Sequence, residues 1–260
     1  LIHGSNGTGK DLAARLIHQP SDRRDSRFVV ANGARLAAER SEVDLFGSDN
    51  LNNNRRIVGL FEQAHKGTLY FDEICDLPLE TQGKIVRAVA EQRFRRVGGN
   101  QEVTVDVRVI SASSKDLASE IAAGNVREDL YYRLGVVPLS MPALSERRED
   151  IPHLARHFVV MISRLTGLGR IKLSDEVLAA MQGYFWPGNV RQMLNTIENM
   201  LIMAPPDRDQ PVGLEGLPAE IQNVSPGQDV SGMEALMALP LRESREAFET
   251  VSYTHLTLPT

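Results

Sequence analysis

Over the first half of the chain, short apolar runs rich in β-branched and aromatic residues alternate with segments whose apolar positions recur every three or four residues. FVVAN (28–32), TLYFDE (68–73), VRVISAS (107–113) and VVPLS (136–140) are the runs, and LIHG at residues 1–4 reads as the end of one more buried strand. Between them, Leu79–Gln92 brings Leu79, Ile85, Val86 and Val89 near one helical face, and RRIVGLFEQA (55–64) also reads as helical. Alternation of this kind predicts an α/β fold with a largely parallel sheet covered by helices. From Arg147 the period changes. Ile151, Leu154, Phe158, Ile162 and Leu165 recur at helical spacing, as do Val190, Met193, Leu194, Ile197 and Leu201. The expected organisation is an α/β nucleotide-binding unit over 1–142 and a small all-α subdomain over 143–204. A Pro- and Gly-rich linker over 205–232 follows, then an amphipathic helix over 233–250. VSYTHLTLPT (251–260) has no clear period and is expected to be foreign to the domain. A strand ending at the first residues needs neighbours, so preceding sequence is expected.

Composition narrows the class. The net charge of −5 gives no overall basic character to attract nucleic acid or anionic lipid. One cysteine, Cys75, excludes an intrachain disulfide and points to a reducing, cytoplasmic setting. No apolar run approaches bilayer length. His18 and His65 have no metal-ligand companions at useful spacing, which favours core or surface roles.

The chemistry begins at Gly4-Ser5-Asn6-Gly7-Thr8-Gly9-Lys10, which follows a strand and precedes the helical DLAARLIH. It fits the G-x-x-x-x-G-K core of a P-loop. Glycines let successive backbone N–H groups point inward at phosphate, the helix start adds partial positive charge, and Lys10 can reach the β- and γ-phosphates. Asp11 stands where most P-loops carry the Ser or Thr that contacts Mg²⁺. Thr68-Leu-Tyr-Phe-Asp72-Glu73 then ends an apolar strand in two acids. Asp72 is expected to hold Mg²⁺ and Glu73 to polarise an attacking water, a pairing that favours hydrolysis over phosphoryl transfer to a small molecule.

Arg127 and Arg133 sit six residues apart in VREDLYYRL. Taken alone they suit a solvated helix with Glu128 and Asp129 as ion-pair partners. In WPGNVRQM (186–193), Asn189 reads as a helix cap and Arg191 lies in the first turn, where a cation is mildly unfavourable.

GSNGTGKD, GTLYFDE, VREDLYYRL, VPLSMPALSERREDIP and WPGNVRQ, in this order over about residues 1–205, resemble the central AAA+ ATPase domain of bacterial enhancer-binding activators that work with sigma-54. The resemblance implies an ATP site at residues 4–11, Arg127 and Arg133 as arginine fingers entering a neighbouring subunit, and Arg191 as a lid arginine sensing the γ-phosphate. It also implies that Asn32 holds the Glu73 carboxylate until nucleotide state changes. An acidic residue after the P-loop lysine is normal in that family. Its sensor segment ordinarily ends in Thr-Asn, whereas Ser113-Ser114 stands here. A hydroxyl at 114 can still donate to phosphate or water with different reach.

The family also carries a GAFTGA insert after LFG, which grips the sigma factor. SDNLNNN (48–54) occupies that place, with no aromatic, threonine or glycine. A short polar connector is implied, as in the NtrX-like branch of response regulators, which KGTLYFDEICDLPLETQGKIVRAV and SGMEALMALPLRESREAFE also resemble. By the resemblance, a receiver domain addressed by a sensor kinase precedes this region and a DNA-binding domain follows it. Three readings result. One is an ATP-binding and hydrolysing module whose nucleotide state controls ring assembly. The second is a sigma-54 remodeller with its grip elsewhere. The third is an ATP-holding scaffold with little turnover.

Overall fold

The computed structural model describes residues 1–36, 39–50, 55–167, 171–203 and 211–222. The chain divides into two units: Leu1–Arg147 with Gly188–Met193, and Arg148–Pro187 with the residues from Leu194 onward.

The first unit is built on five parallel strands, β1 (Ile2–His3), β2 (Phe28–Asn32), β5 (Thr68–Asp72), β8 (Arg108–Ser113) and β9 (Leu139–Ser140), in the order β2-β5-β8-β1-β9. Helix α1 (Lys10–His18) covers one face, where Ile2, Ala14, Tyr70, Ile110 and Ala112 pack together. The other face carries Ala31, Leu69 and Phe71, packed with residues from α2 (Ser41–Phe46), α3 (Leu60–Gln63), α4 (Leu79–Glu91), α5 (Leu117–Ala122) and α6 (Glu128–Leu134). Strand β5 shows the logic. Successive side chains point to opposite faces, so Leu69 and Phe71 enter one layer and Tyr70 the other, and all three are sealed from solvent. Each such burial contributes about 1.5–3 kcal/mol.

Two hairpins stand beside the sheet: β3 (Ser48–Asn50) with β4 (Arg55–Ile57), and β6 (Arg93–Arg95) with β7 (Glu102–Thr104). RRIVGLFEQA is therefore not one helix; Arg55–Ile57 extends to pair with Ser48–Asn50, and only Leu60–Gln63 is helical. The SDN half of SDNLNNN is likewise strand, and residues 51–54 lie outside the described residues. Arg96, buried between the hairpins, clamps the arrangement. Its Nε and Nη2 donate to the two Glu62 carboxylate oxygens at 2.8 and 2.7 Å, and its Nη1 donates to Asp49 Oδ2 at 3.3 Å.

Two further expectations change in detail. Val136 and Val137 stay outside β9 and exposed, since Pro138 cannot donate to a ladder at this edge. Leu79 is exposed, and α4 buries Thr81, Gln82, Ile85 and Ala88 instead.

The second unit packs α7 (Ile151–Thr166), α8 (Asp175–Gly183) and α9 (Asn189–Met203), whose first turns belong to the first unit. Ile151, Phe158, Ile162, Met181 and Ile197 are buried, whereas Leu165 is 80% exposed. Residues 211–222, expected to be linker, carry a 3₁₀ turn at Leu214–Gly216 and the short helix α10 (Ala219–Gln222), with Val212, Leu217 and Ile221 buried. The segments 233–250 and 251–260 lie outside the described residues. The subdomain boundary expected at 142/143 falls at Arg147, and 188–193 joins the first unit, because Asn189 bonds to the P-loop.

Candidate functional site

Residues at and beyond the carboxyl ends of β1, β2 and β5 line a cleft of about 360 Å³. It is lined by Asn6, Gly7, Gly9, Lys10 and Asp11 of the P-loop segment and by Asn32, Asp72, Glu73 and Arg191, together with Arg15, Val30 and Tyr70. Binding outside strand carboxyl ends is the usual place for ligands in open α/β sheets.

Residues 4–9 connect β1 to α1. Gly4 N donates to Ser113 O at 3.2 Å, which starts the loop beside the end of β8. Gly7 (φ 79°) and Gly9 (φ 99°) adopt left-handed backbone that other residues rarely take, and a Cβ on Gly7 would lie 2.2 Å from Gly188 O. Gly9 precedes the first turn of α1 with no side-chain cap, so the amides there are available to an anion. Lys10 is 6% exposed and donates through Nζ to Gly4 O at 2.8 Å. Thr8 donates to Ser5 O at 2.9 Å, which braces the loop from within. Asp11 is exposed at the cleft margin.

The two acids are handled differently. Asp72 is the last residue of β5, and its register partner on β2 is Asn32. Asn32 Nδ2 accordingly donates to Asp72 Oδ2 at 2.9 Å, and Tyr70 Oη donates to Asp72 Oδ1 at 3.2 Å. Burial, then the Asp72 charge, pushes the Tyr70 phenol well above its ordinary value, so it remains a donor. Glu73 leaves the strand in left-handed backbone (φ 52°, ψ 59°), and its side chain turns toward the end of β8. Its Oε2 accepts from both Ser114 N and Ser114 Oγ at 2.8 Å, and its Oε1 lies 3.2 Å from Lys10 Nζ. The expected Asn32–Glu73 contact is therefore absent among these bonds. Parallel register sets Asn32 opposite Asp72, and the turn at Glu73 carries that carboxylate away.

Arg191 lines the cleft from the first turn of α9, and its backbone N–H donates to Gly7 O at 3.3 Å. Asn189 does not cap the helix with its side chain. In left-handed backbone (φ 50°) and 2% exposed, it donates through Nδ2 to Ser5 Oγ at 3.0 Å and to Asn6 O at 2.9 Å, and its Oδ1 accepts from Leu144 N at 2.7 Å. Arg127 precedes α6 and is bound bidentately by Asp129 at 2.9 and 2.8 Å, the ion pair expected of a solvated helix. Arg133 is exposed in the last turn of α6. Neither arginine lines the cleft.

Residues 1–140 match the family model described as the sigma-54 interaction domain. The chain belongs to the sigma-54 interaction domain family. Residues 145–233 match the AAA+ ATPase lid domain. The nitrogen assimilation regulatory protein NtrX of Azorhizobium caulinodans is 48% identical over 250 residues, covering 96% of this chain and 55% of that protein. Crystal structures of NtrX from Brucella abortus in complex with ADP and with ATP are 44% identical, with TM-scores of 0.81 and 0.79. Each of those alignments covers 95% of this chain, and 55% and 54% of the respective NtrX chain. The chain thus spans about half the length of the relatives it matches.

For a sigma-54 interaction domain the cleft has a suitable donor set for a magnesium nucleotide: a glycine-bent loop with uncapped helix amides, an enclosed lysine, and an aspartate oriented by two donors. Among the described residues no group of three or more His, Cys, Asp or Glu side chains is placed to hold a metal. That suits Mg²⁺, which is commonly held by one or two carboxylates plus water and phosphate oxygens rather than by a protein cage. Asp72 would be the carboxylate to hold it, with Asp11 at the margin.

Residues whose part in the cleft is not plain from the sequence also shape the site. Tyr70 carried a signal: two positions before Asp72, it shares that residue's face of the strand. Asn189 carried a misleading one, since a Gly-Asn pair before a helix resembles an ordinary cap. Arg147, whose Nη2 donates to Thr8 O at 3.1 Å, carried none.

Proposed function

We propose that this chain binds Mg²⁺-ATP and hydrolyses it as the central module of a two-component transcriptional regulator, with nucleotide controlling ring assembly. The observation that carries the reading is the convergence of Lys10, Asp72 and Glu73 at the P-loop cleft. Backbone N–H groups of residues 5–10 cradle the phosphates, and Lys10 leaves Gly4 O for the β- and γ-oxygens. Asp72 would hold Mg²⁺, which would supply charge neutralisation at the phosphates. Glu73 is one residue further along the same edge and serves as the group that orients and polarises water. Arg191, tied to the loop through Gly7, meets the terminal phosphate.

Arg127 and Arg133 lie away from the cleft, which supports supply of guanidinium to an adjoining protomer's site. For the whole regulator, the proposal includes a sensor kinase acting through a receiver domain and DNA contacted through a separate domain. Four residues, 51–54, join the register partners Asn50 and Arg55, so little chain is available there to grip sigma-54. That favours nucleotide-controlled assembly over the remodelling reading. The scaffold reading draws on the bonds that already engage Glu73. Membrane association is not part of the proposal; no helix among the described residues is long and apolar enough to cross a membrane.

Calorimetric titration with Mg²⁺-ATP and turnover measured against protein concentration test the reading. Uptake of ATP with specific activity that rises with concentration is expected. Glu73→Gln should retain uptake and lose turnover by about 10²–10⁴-fold. Absence of uptake overturns the proposal.

A further inference from the structure

Three consecutive residues, the last of β8 and the two that follow it, each grip the segment that follows β5. Ser113 Oγ lies 3.2 Å from Cys75 Sγ, Ser114 binds Glu73 through both its amide and its hydroxyl at 2.8 Å, and Lys115 Nζ lies 2.8 Å from Asp76 Oδ1. Ser113 and Cys75 are buried, and Ser113 Oγ also donates to Lys115 O at 3.1 Å, which stiffens the 113–115 turn. On the other side, Gly33 N donates to Asp72 O at 2.8 Å, and a Cβ on Gly33 would lie 2.2 Å from Glu73 O. The backbone at Glu73 is therefore held from both neighbouring strands in a conformation that L residues seldom adopt.

The consequence falls on the Glu73 carboxylate. One oxygen already accepts two hydrogen bonds, which use its in-plane lone pairs. The other faces the Lys10 ammonium. A group that polarises water needs a lone pair within hydrogen-bond reach of that water. In this arrangement Oε2 has no lone pair left for water, and the one that Oε1 keeps lies beside the Lys10 ammonium.

We propose that Ser114, with Lys10, forms a latch that holds Glu73 away from water until nucleotide arrives, making Ser114 a positioning residue for hydrolysis. The inference rests on the reading of the cleft as an ATP site. Phosphate draws Lys10 off Glu73 and frees Oε1, while Ser114 continues to restrain Oε2. Release is thus divided: the ligand undoes one half, and movement of the 113–115 turn undoes the other. Asn32 has no part in this latch, because its amide is committed to Asp72.

The test uses the full chain and three forms: wild type, Ser114→Ala, and Ser114→Thr, which keeps the hydroxyl. Mg²⁺-ATP affinity is read by calorimetry, and steady-state turnover is read across a range of protein concentrations. Loss of a charge-assisted hydrogen bond should raise Ser114→Ala turnover by about tenfold at low protein concentration, with affinity kept within about twofold. Ser114→Thr should return the rate toward the restrained value, a rescue that a merely structural role does not predict. Turnover that falls or stays level in Ser114→Ala, with ATP still bound, overturns the latch alone and makes Ser114 a group that acts on phosphate or water. Failure of the wild type to take up ATP overturns the nucleotide reading, and the latch with it.

Discussion

Asn32 and Asp72 are register partners on adjacent parallel strands, and Asn32 Nδ2 donates to Asp72 Oδ2 at 2.9 Å. With Tyr70 donating to the second oxygen, Asp72 is held in one orientation at the cleft. Preorganisation of a metal-binding carboxylate by outer donors raises metal affinity, and losing such a donor typically costs about 10–100-fold. Asn32→Ala should therefore weaken Mg²⁺-dependent nucleotide binding by about tenfold and leave metal-free binding nearly unchanged. Paired titrations with and without Mg²⁺ check this. Equal losses in both would show that Asn32 acts on the loop and not on the metal carboxylate.

Arg127 and Arg133 differ in what each must give up to reach a neighbour. Arg127 is held bidentately by Asp129, a pair that raises the guanidinium pKa and lowers that of the carboxyl. Arg133 has no ion-pair partner among the described residues and is exposed. If guanidinium is supplied between protomers, Arg133→Ala should lower turnover by about 10³-fold, the scale of an arginine finger. Arg127→Ala should cost less, about tenfold, because part of its interaction is already made with Asp129 in the helix that follows it. Nucleotide affinity should be preserved in both. Turnover plotted against protein concentration, for each variant and for mixtures with Glu73→Gln, distinguishes supply in trans from a local role.

Arg96, just after β6, joins Glu62 of α3 and Asp49 of β3, and the three have side-chain exposures of 5%, 12% and 24%. Arg96→Met removes the Arg96 cation from Asp49 and leaves the partly buried Glu62 with Arg56 alone, at 3.0 Å. Breaking a fully buried pair costs about 3–5 kcal/mol, and residual solvent contact at the acids reduces this to about 2–3 kcal/mol. The pH dependence has a definite sign. Burial alone raises the Glu62 carboxyl, but hydrogen bonds from Arg96 and Arg56 outweigh it and hold the group below its ordinary range. A depressed folded-state value contributes stability above the ordinary glutamate value, about 4.3, and loses it as pH falls through the folded value. Denaturant unfolding at neutral and acid pH should show that acid-sensitive component shrink in Arg96→Met.

The P-loop, the Asp-Glu pair and the alternation of strands with helices are legible because each is a local pattern: glycine spacing, an apolar run ending in acids, a repeated change of period. The same local reasoning extended VVPLS to a five-residue strand, when only Leu139 and Ser140 pair. It also made one helix of a segment that supplies half a hairpin, because an isolated run cannot reveal that Ser48–Asn50 lies ready to pair with it. Asn189 resembles a cap for the same reason: the atoms it binds, in Ser5 and Asn6, are more than 180 positions away in the chain.

The sequence by itself determined that a triphosphate-sized anion site would open at the end of a parallel sheet, since glycine freedom, helix polarity and strand hydrophobicity are properties of contiguous residues. Only the tertiary structure decided which acid each polar neighbour serves. Asn32 meets Asp72, and Ser114 meets Glu73, because inter-strand register and the backbone turn at residue 73 set those distances. Hydrogen bonds act within about 3 Å, so a partner's identity depends on where strands align, which no spacing along one strand encodes.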